Sequence, residues 1–167
     1  MKNNKDHLPI YGPGPVFGGV VIALTVAAMF CRNLPVFQCG NIAAFRIPLI
    51  VIGIILILFA VFPWLYAVVI TKIDDGILHN HLVTTGAYAL VRNPIYSAIL
   101  ILCTGVLMIG GNVLFLILPF LYWAFLTVLI KHTEEKWLSE LYGEEYKEYC
   151  KKVNRCIPWF PKKKRRI

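Results

Sequence analysis

Apolar residues in this chain run in long unbroken stretches, without the two-residue alternation of a half-buried strand or the three-to-four-residue spacing of a surface helix. Four stretches stand out, at 15–31, 47–70, 95–109 and 113–130. A helix crosses the hydrocarbon core of a bilayer with about 20 apolar residues, in a range of roughly 17–25. The third stretch is short, but it extends into Asn93-Pro94 at one end and into the turn Gly110-Gly111-Asn112 at the other. The pattern predicts an all-α integral membrane protein with about four transmembrane helices. Pro94 suits the start of the third, where a missing amide proton costs nothing. Pro63 falls inside the second and is expected to kink it.

The polar segments between these stretches differ in kind. Residues 1–15 carry Pro9, Gly12, Pro13, Gly14 and Pro15 and lead the chain into the first span without helix. Residues 32–46 are too short to span and read as an outer loop. Residues 71–92 are polar, with Asp74-Asp75-Gly76 as a turn, and the run from Asn80 to Tyr88 suits an ordered binding loop. After Ile130 the period becomes helical and amphipathic. Trp137, Leu138, Leu141, Tyr142, Tyr146 and Tyr149 share one face, and Glu140, Glu144, Glu145, Lys147 and Glu148 fill the other. This predicts that the fourth helix continues into water as a cytoplasmic, interfacial segment, bent or ended at Gly143. The chain thus divides into 1–70, with the tail and first two spans, and 71–167, with the loop, the hairpin and the C-terminal segment, as one integrated domain.

Composition supports the membrane reading: 58% of the residues are hydrophobic and 16% charged, against about half and a quarter in a soluble domain. Charge adds the orientation. With an even number of spans and both termini inside, fifteen of the seventeen Lys and Arg residues lie on the cytoplasmic side, as the positive-inside rule asks. The 72–92 loop and the C-terminal segment then face the cytoplasm. The basic run 162–166 reads as a patch for anionic lipid headgroups; one terminal run is no nucleic-acid site. The first stretch reads as an uncleaved span, and the last four residues are not a prenylation box. The five cysteines match no zinc or redox spacing, although Cys31 and Cys39 share the outer face and could be joined by a disulfide. His79 and His81 lack a third ligand, so no metal is expected.

The charge-free stretch from Asn93 to Ile130 is a hairpin, so its two ends return to one membrane face. Arg92-Asn93-Pro94-Ile95-Tyr96 therefore stands beside Glu134-Glu135, with Tyr88 and His81 contributed by the preceding loop. Adjacent helical residues point about 100° apart, so the two glutamates need not share a role. Carboxylates for an amine or sulfonium, aromatic faces for a cation and an arginine for a carboxylate match the groups of S-adenosylmethionine. A salt-bridge cluster that seals the hairpin mouth fits the same residues.

The run Asn80 to Tyr96, then Glu134-Glu135-Lys136-Trp137-Leu138, Tyr142-Gly143-Glu144-Glu145-Tyr146, Tyr149 and Ile157-Pro158, resembles the isoprenylcysteine carboxyl methyltransferase family, which is related to the phospholipid methyltransferases. The resemblance covers about 78–158. It implies an integral membrane enzyme using S-adenosylmethionine, with a cytoplasmic cofactor pocket and a lipid-side entrance for a lipid-like or small hydrophobic acceptor. Carried over residue by residue, it puts Asn80, His81, Leu82, Val83, Tyr88, Asn93, Pro94, Ile95, Tyr96 and Glu134 at the cofactor, and Arg92 and Glu135 in the catalytic machinery. Three positions depart from the family pattern. Asn93 replaces the usual His, Ser97 stands where Gly is common, and Ile130 replaces an Arg matched to the substrate carboxylate. Two rivals remain at this stage: an NADPH-dependent membrane reductase of the sterol-reductase type, similar in its Arg-His-Pro-x-Tyr-like element, and a non-catalytic membrane scaffold.

Overall fold

The computed structural model describes residues 12–66 and 82–157. Among them every regular element is helical. The helices are α1 (Gly14–Cys31), α2 (Ala43–Leu65), α3 (Pro94–Ile109), α4 (Leu118–His132) and α5 (Glu134–Lys152), with short 3₁₀ turns at Pro35–Gly40, Gly86–Ala89 and Val113–Ile117. The chain is an all-α, multi-pass membrane protein. Gly14–Cys31, Ala43–Leu65 and Val113–His132 are each long and apolar enough to cross a bilayer. Helix α3, with 16 residues, rises about 24 Å, short of a hydrocarbon core of about 30 Å. The end of the second expected span, the Asp74-Asp75-Gly76 turn and the basic run 162–166 lie outside the described residues.

Two boundaries differ from expectation. Arg46, expected in the outer loop, lies in the first turn of α2, and that loop holds the 3₁₀ turn Pro35–Gly40. The fourth helix does not continue into α5. Thr133 leaves the helical region at φ −122°, ψ −91°, while its hydroxyl donates back to the Leu129 carbonyl at 2.6 Å. The ladder ends there and a new helix begins at Glu134. The bend expected at Gly143 is present, at φ 53°, a region that glycine enters without a Cβ clash. Cys31 and Cys39 are both free thiols, so no disulfide joins them.

One core joins α1, α3 and α4. Phe17 and Val21 of α1, Cys103 and Leu107 of α3, and Tyr122, Leu126 and Ile130 of α4 are buried together. The Thr25 and Tyr122 hydroxyls bond across the helices at 3.1 Å. Opposite the site, buried Asn112 accepts from the Leu114 amide at 3.0 Å and donates to the Phe37 carbonyl at 2.8 Å. That ties the hairpin turn to the Pro35–Gly40 turn. Helix α2 packs almost wholly on α3 and turns Val51, Ile55, Leu58 and Phe62 outward, as a helix in hydrocarbon does.

Lipid tails give no hydrophobic drive to helix pairing, so close packing must supply it. Gly53 and Gly105 provide the approach: a methyl built on either would lie 2.7 Å from the carbonyl oxygen of the other. Gly105→Val therefore drives side-chain atoms into backbone that cannot yield, at a cost of about 3 kcal/mol. Thermal melting in detergent should show a clear drop for Gly105→Val and none for Gly19→Ala, where a methyl meets open space; equal melting of both would mean that α2 and α3 do not cross here.

Candidate active site

Pro94 starts α3 with the geometry expected of a first-turn proline, and the Ser97 amide closes the first helical bond on the Asn93 carbonyl at 3.0 Å. Asn93 makes no side-chain cap. Its Nδ2 instead donates to the Arg155 carbonyl at 3.0 Å. One turn on, Tyr96 points to the far end of the hairpin and donates from its hydroxyl to Glu134 Oε1 at 2.5 Å. The two ends of the charge-free stretch thus meet through a hydrogen bond. Phe17 of α1 meets the Tyr96 ring edge-on, with centroids 5.7 Å apart, and stacks on Phe125. The apolar core thereby sets the direction of the phenol.

The glutamates diverge as adjacent residues of one helical turn do, and Thr133 restarts the helix just ahead of them. Glu134 turns to Tyr96, under the N-terminal segment: a methyl on Gly12 would lie 2.6 Å from Glu134 Oε1, and one on Gly14 would lie 3.3 Å from the Tyr96 hydroxyl. Burial pushes the Glu134 pKa up; the hydrogen bond from Tyr96 works against that, and the charge of Glu135 adds to it. Glu135 turns the other way. Its carboxylate is gripped by Arg155, Nε to Oε1 at 2.6 Å and Nη2 to Oε2 at 2.9 Å, and by Arg92 Nη1 at 3.0 Å. Arg92 Nη1 also donates to the Tyr146 hydroxyl and to Cys150 Sγ, while its Nε is buried without a hydrogen-bond partner.

Tyr88 lies in the Gly86–Ala89 turn, which Gly86 enters at φ 62°. Burial raises its phenol pKa, with Tyr149 and Glu134 adding to the shift, and the Tyr149 hydroxyl donates to its carbonyl at 2.6 Å. Leu82 packs against the cluster of Tyr146, Tyr149 and Val153, with Leu138 and Tyr142 beside it. The apolar face of α5 is therefore seated on the 82–91 loop. Val83 and Ile95 are half-buried, and Lys131 and His132 are exposed. Asn80 and His81 lie outside the described residues. Ile130 is buried in the core, so its position supplies no charge. The motifs gave no notice of Gly12, Gly14 or Arg155, though Arg155 stands just before the Ile157-Pro158 pair already singled out.

The family model for phospholipid methyltransferase matches residues 42–145, more than half of the chain and both ends of the hairpin. The chain belongs to the phospholipid methyltransferase family. Similar relatives of this family member carry the name protein-S-isoprenylcysteine O-methyltransferase. The Schizosaccharomyces pombe protein is 41% identical over 81 residues, 48% of this chain and 34% of its own length. The Arabidopsis thaliana B protein is 32% identical over 82 residues, 48% of this chain and 41% of its own length. A probable member from Oryza sativa subsp. indica is 35% identical over 81 residues, 48% of this chain and 42% of its own length. The matched segment thus spans well under half of each relative. No solved structure matches the chain.

Removing Glu135 leaves Arg92 and Arg155 facing each other in a partly buried site, which costs about 3 kcal/mol or more. Glu134→Gln keeps an acceptor for Tyr96 and relieves a buried carboxylate. Melting curves should place Glu135→Ala far below wild type and Glu134→Gln within a few degrees of it; the reverse order would mean that the clamp on Glu135 does not form.

Proposed function

We propose that this protein transfers a methyl group from S-adenosylmethionine to a lipid-like or small hydrophobic acceptor at the cytoplasmic mouth of the α3–α4 hairpin. The observation that carries this reading is the Tyr96–Glu134 hydrogen bond, which joins the Arg-Asn-Pro-Ile-Tyr motif to the glutamate pair. The donor set suits the cofactor. Glu134, with Tyr96 and Tyr88 near it, offers a carboxylate and aromatic faces to an ammonium or sulfonium. The buried Nε of Arg92 is a free donor for a carboxylate. Leu82, Val83, Asn93, Pro94 and Ile95 would line the remainder, with Asn80 and His81 from the preceding loop.

S-adenosylmethionine, when bound, supplies an electrophilic methyl on a sulfonium. The protein must mainly align donor and acceptor and exclude water. Tyr96, held by Phe17, and Arg92, held by Glu135, serve alignment. A carboxylate or thiolate acceptor needs no base, whereas an amine must lose a proton; Glu134 is the nearby carboxylate that could take one, while His132 is exposed. The relatives' names refer to isoprenylcysteine. Ile130 is apolar at the position of their substrate arginine, so the acceptor proposed here stays at the level of a hydrophobic molecule. A groove of about 260 Å³ between α2 and α3, lined by Ala60, Val61, Trp64, Ala98, Ile99 and Leu102, offers an apolar surface for its chain. Both termini are assigned to the cytoplasm, with the 162–166 run against anionic headgroups.

Calorimetric titration of the detergent-purified protein with S-adenosylhomocysteine, and in parallel with NADPH, tests the reading. A cation beside Glu134 lowers the pKa that burial raised, so binding expels a proton and affinity rises as pH climbs through the free-site value. Binding of S-adenosylhomocysteine should strengthen from mildly acidic to neutral pH. Glu134→Gln should weaken it about tenfold and flatten that rise. Binding of NADPH alone would point to a reductase, and binding of neither to a scaffold.

A further inference from the structure

No motif assigns a role to Asn154-Arg155-Cys156, yet this segment is bonded to the Arg92–Ser97 motif at every step. Helix α5 ends at Lys152, and Val153 turns the chain into extended backbone at φ −122°, ψ 132°. The next three carbonyls then accept in sequence. Asn154 accepts from the Arg92 amide at 2.8 Å, and Arg155 from the Asn93 amide at 3.2 Å and from Asn93 Nδ2 at 3.0 Å. Cys156 accepts from Ser97 Oγ at 2.6 Å. The Cys156 side chain is buried in the core beside Tyr96 and Ile130, and burial pushes its thiol up to about 12, so it stays protonated. The side chains of Asn93 and Ser97 thus hold the same segment.

That hold delivers Arg155 to Glu135. A guanidinium engaged through two parallel bonds fixes the plane of a carboxylate, which a single bond does not. Glu135 Oε1 is shared, receiving Arg155 Nε and Arg92 Nη1 together. With its carboxylate plane fixed, Glu135 holds Arg92 Nη1 together with Tyr146 and Cys150, and the Arg92 Nε is left without a protein partner. We propose that Arg155 is a positioning residue of the active site: latched by Asn93 and Ser97, it sets Glu135, and through Glu135 it presents Arg92 to the ligand. The proposal rests on the methyltransferase reading and extends it to a segment that the motifs leave unassigned.

The test is S-adenosylhomocysteine titration of the full chain as wild type, Arg155→Ala, Arg155→Lys, Glu135→Gln and the Arg155→Ala/Glu135→Gln double variant, with melting curves recorded for each. Arg155→Ala and Glu135→Gln should each weaken binding about tenfold, and the double variant should be no weaker than the weaker single, because the two act through one contact. Arg155→Lys keeps the charge but loses the fork, so it should stay weak. If Arg155→Ala does not fold, Arg155→Lys and Ser97→Gly carry the test, the latter cutting the latch by one bond; both should weaken binding beyond what their melting shifts explain. Wild-type affinity in Arg155→Lys, or independent, additive losses in the double variant, overturns the positioning role while leaving the methyltransferase reading in place. Absence of binding in the wild type overturns that reading and the latch with it.

Discussion

The Glu135 carboxylate draws three separate parts of the chain to one point. Arg92 reaches it from the loop ahead of α3, Arg155 from the segment after α5, and Glu135 itself belongs to the first turn of α5. A paired charge of this kind stabilises only while all its partners are present, since any one alone carries a desolvation cost. The arrangement therefore works as a condition for assembly: α5 must sit on the 82–91 loop before the arginines can be satisfied. The apolar face of α5, with Tyr146, Tyr149 and Leu138, supplies the seat.

Glu134 can take a different part because it stands about 100° around α5 from Glu135, and the backbone break at Thr133 sets the direction of both. Had α4 run on unbroken, the glutamates would have been set by the rotation of a membrane helix. The break lets α5 leave at its own angle, with Glu134 turned to Tyr96 and Glu135 to the arginines. Tyr96 is in turn held by Phe17, so the first span, which has no motif, still shapes the site. Gly12 and Gly14 close it from the N-terminal side. The contacts of Phe17, Gly12 and Gly14 cross between the two halves of the chain, and the site depends on the packing of α1, α3 and α4 into one core.

Much of this was legible in the sequence. Uninterrupted apolar stretches leave few alternatives in a bilayer, so the spans and the hairpin could be read directly, and the hairpin implied that Tyr96 and Glu134 would be neighbours. The amphipathic period after Ile130 likewise marked the seated face of α5. What could not be read depends on backbone detail or on distant contacts. Thr133 is an unremarkable residue for a helix, and its break shows only in the backbone, at φ −122°, ψ −91°. Arg155 is one of many basic residues near the C-terminus, and only the fold shows that its carbonyl and guanidinium both reach the motif. The contribution of Gly12 could not be anticipated, because nothing in a Gly-Pro run says what it crosses. Arg92 and Glu135, grouped by motif as catalytic, are joined in the structure by an ion pair, which suits holding and orienting.

The most direct test of the account is methyl transfer itself. Membranes containing the protein would be supplied with S-adenosylmethionine labelled on its methyl group, then extracted with organic solvent. The account predicts label in the organic phase that depends on the protein and falls sharply in Glu134→Gln at equal protein level. Label that stays in the aqueous phase, or enters the organic phase equally with wild type and variant, would contradict it.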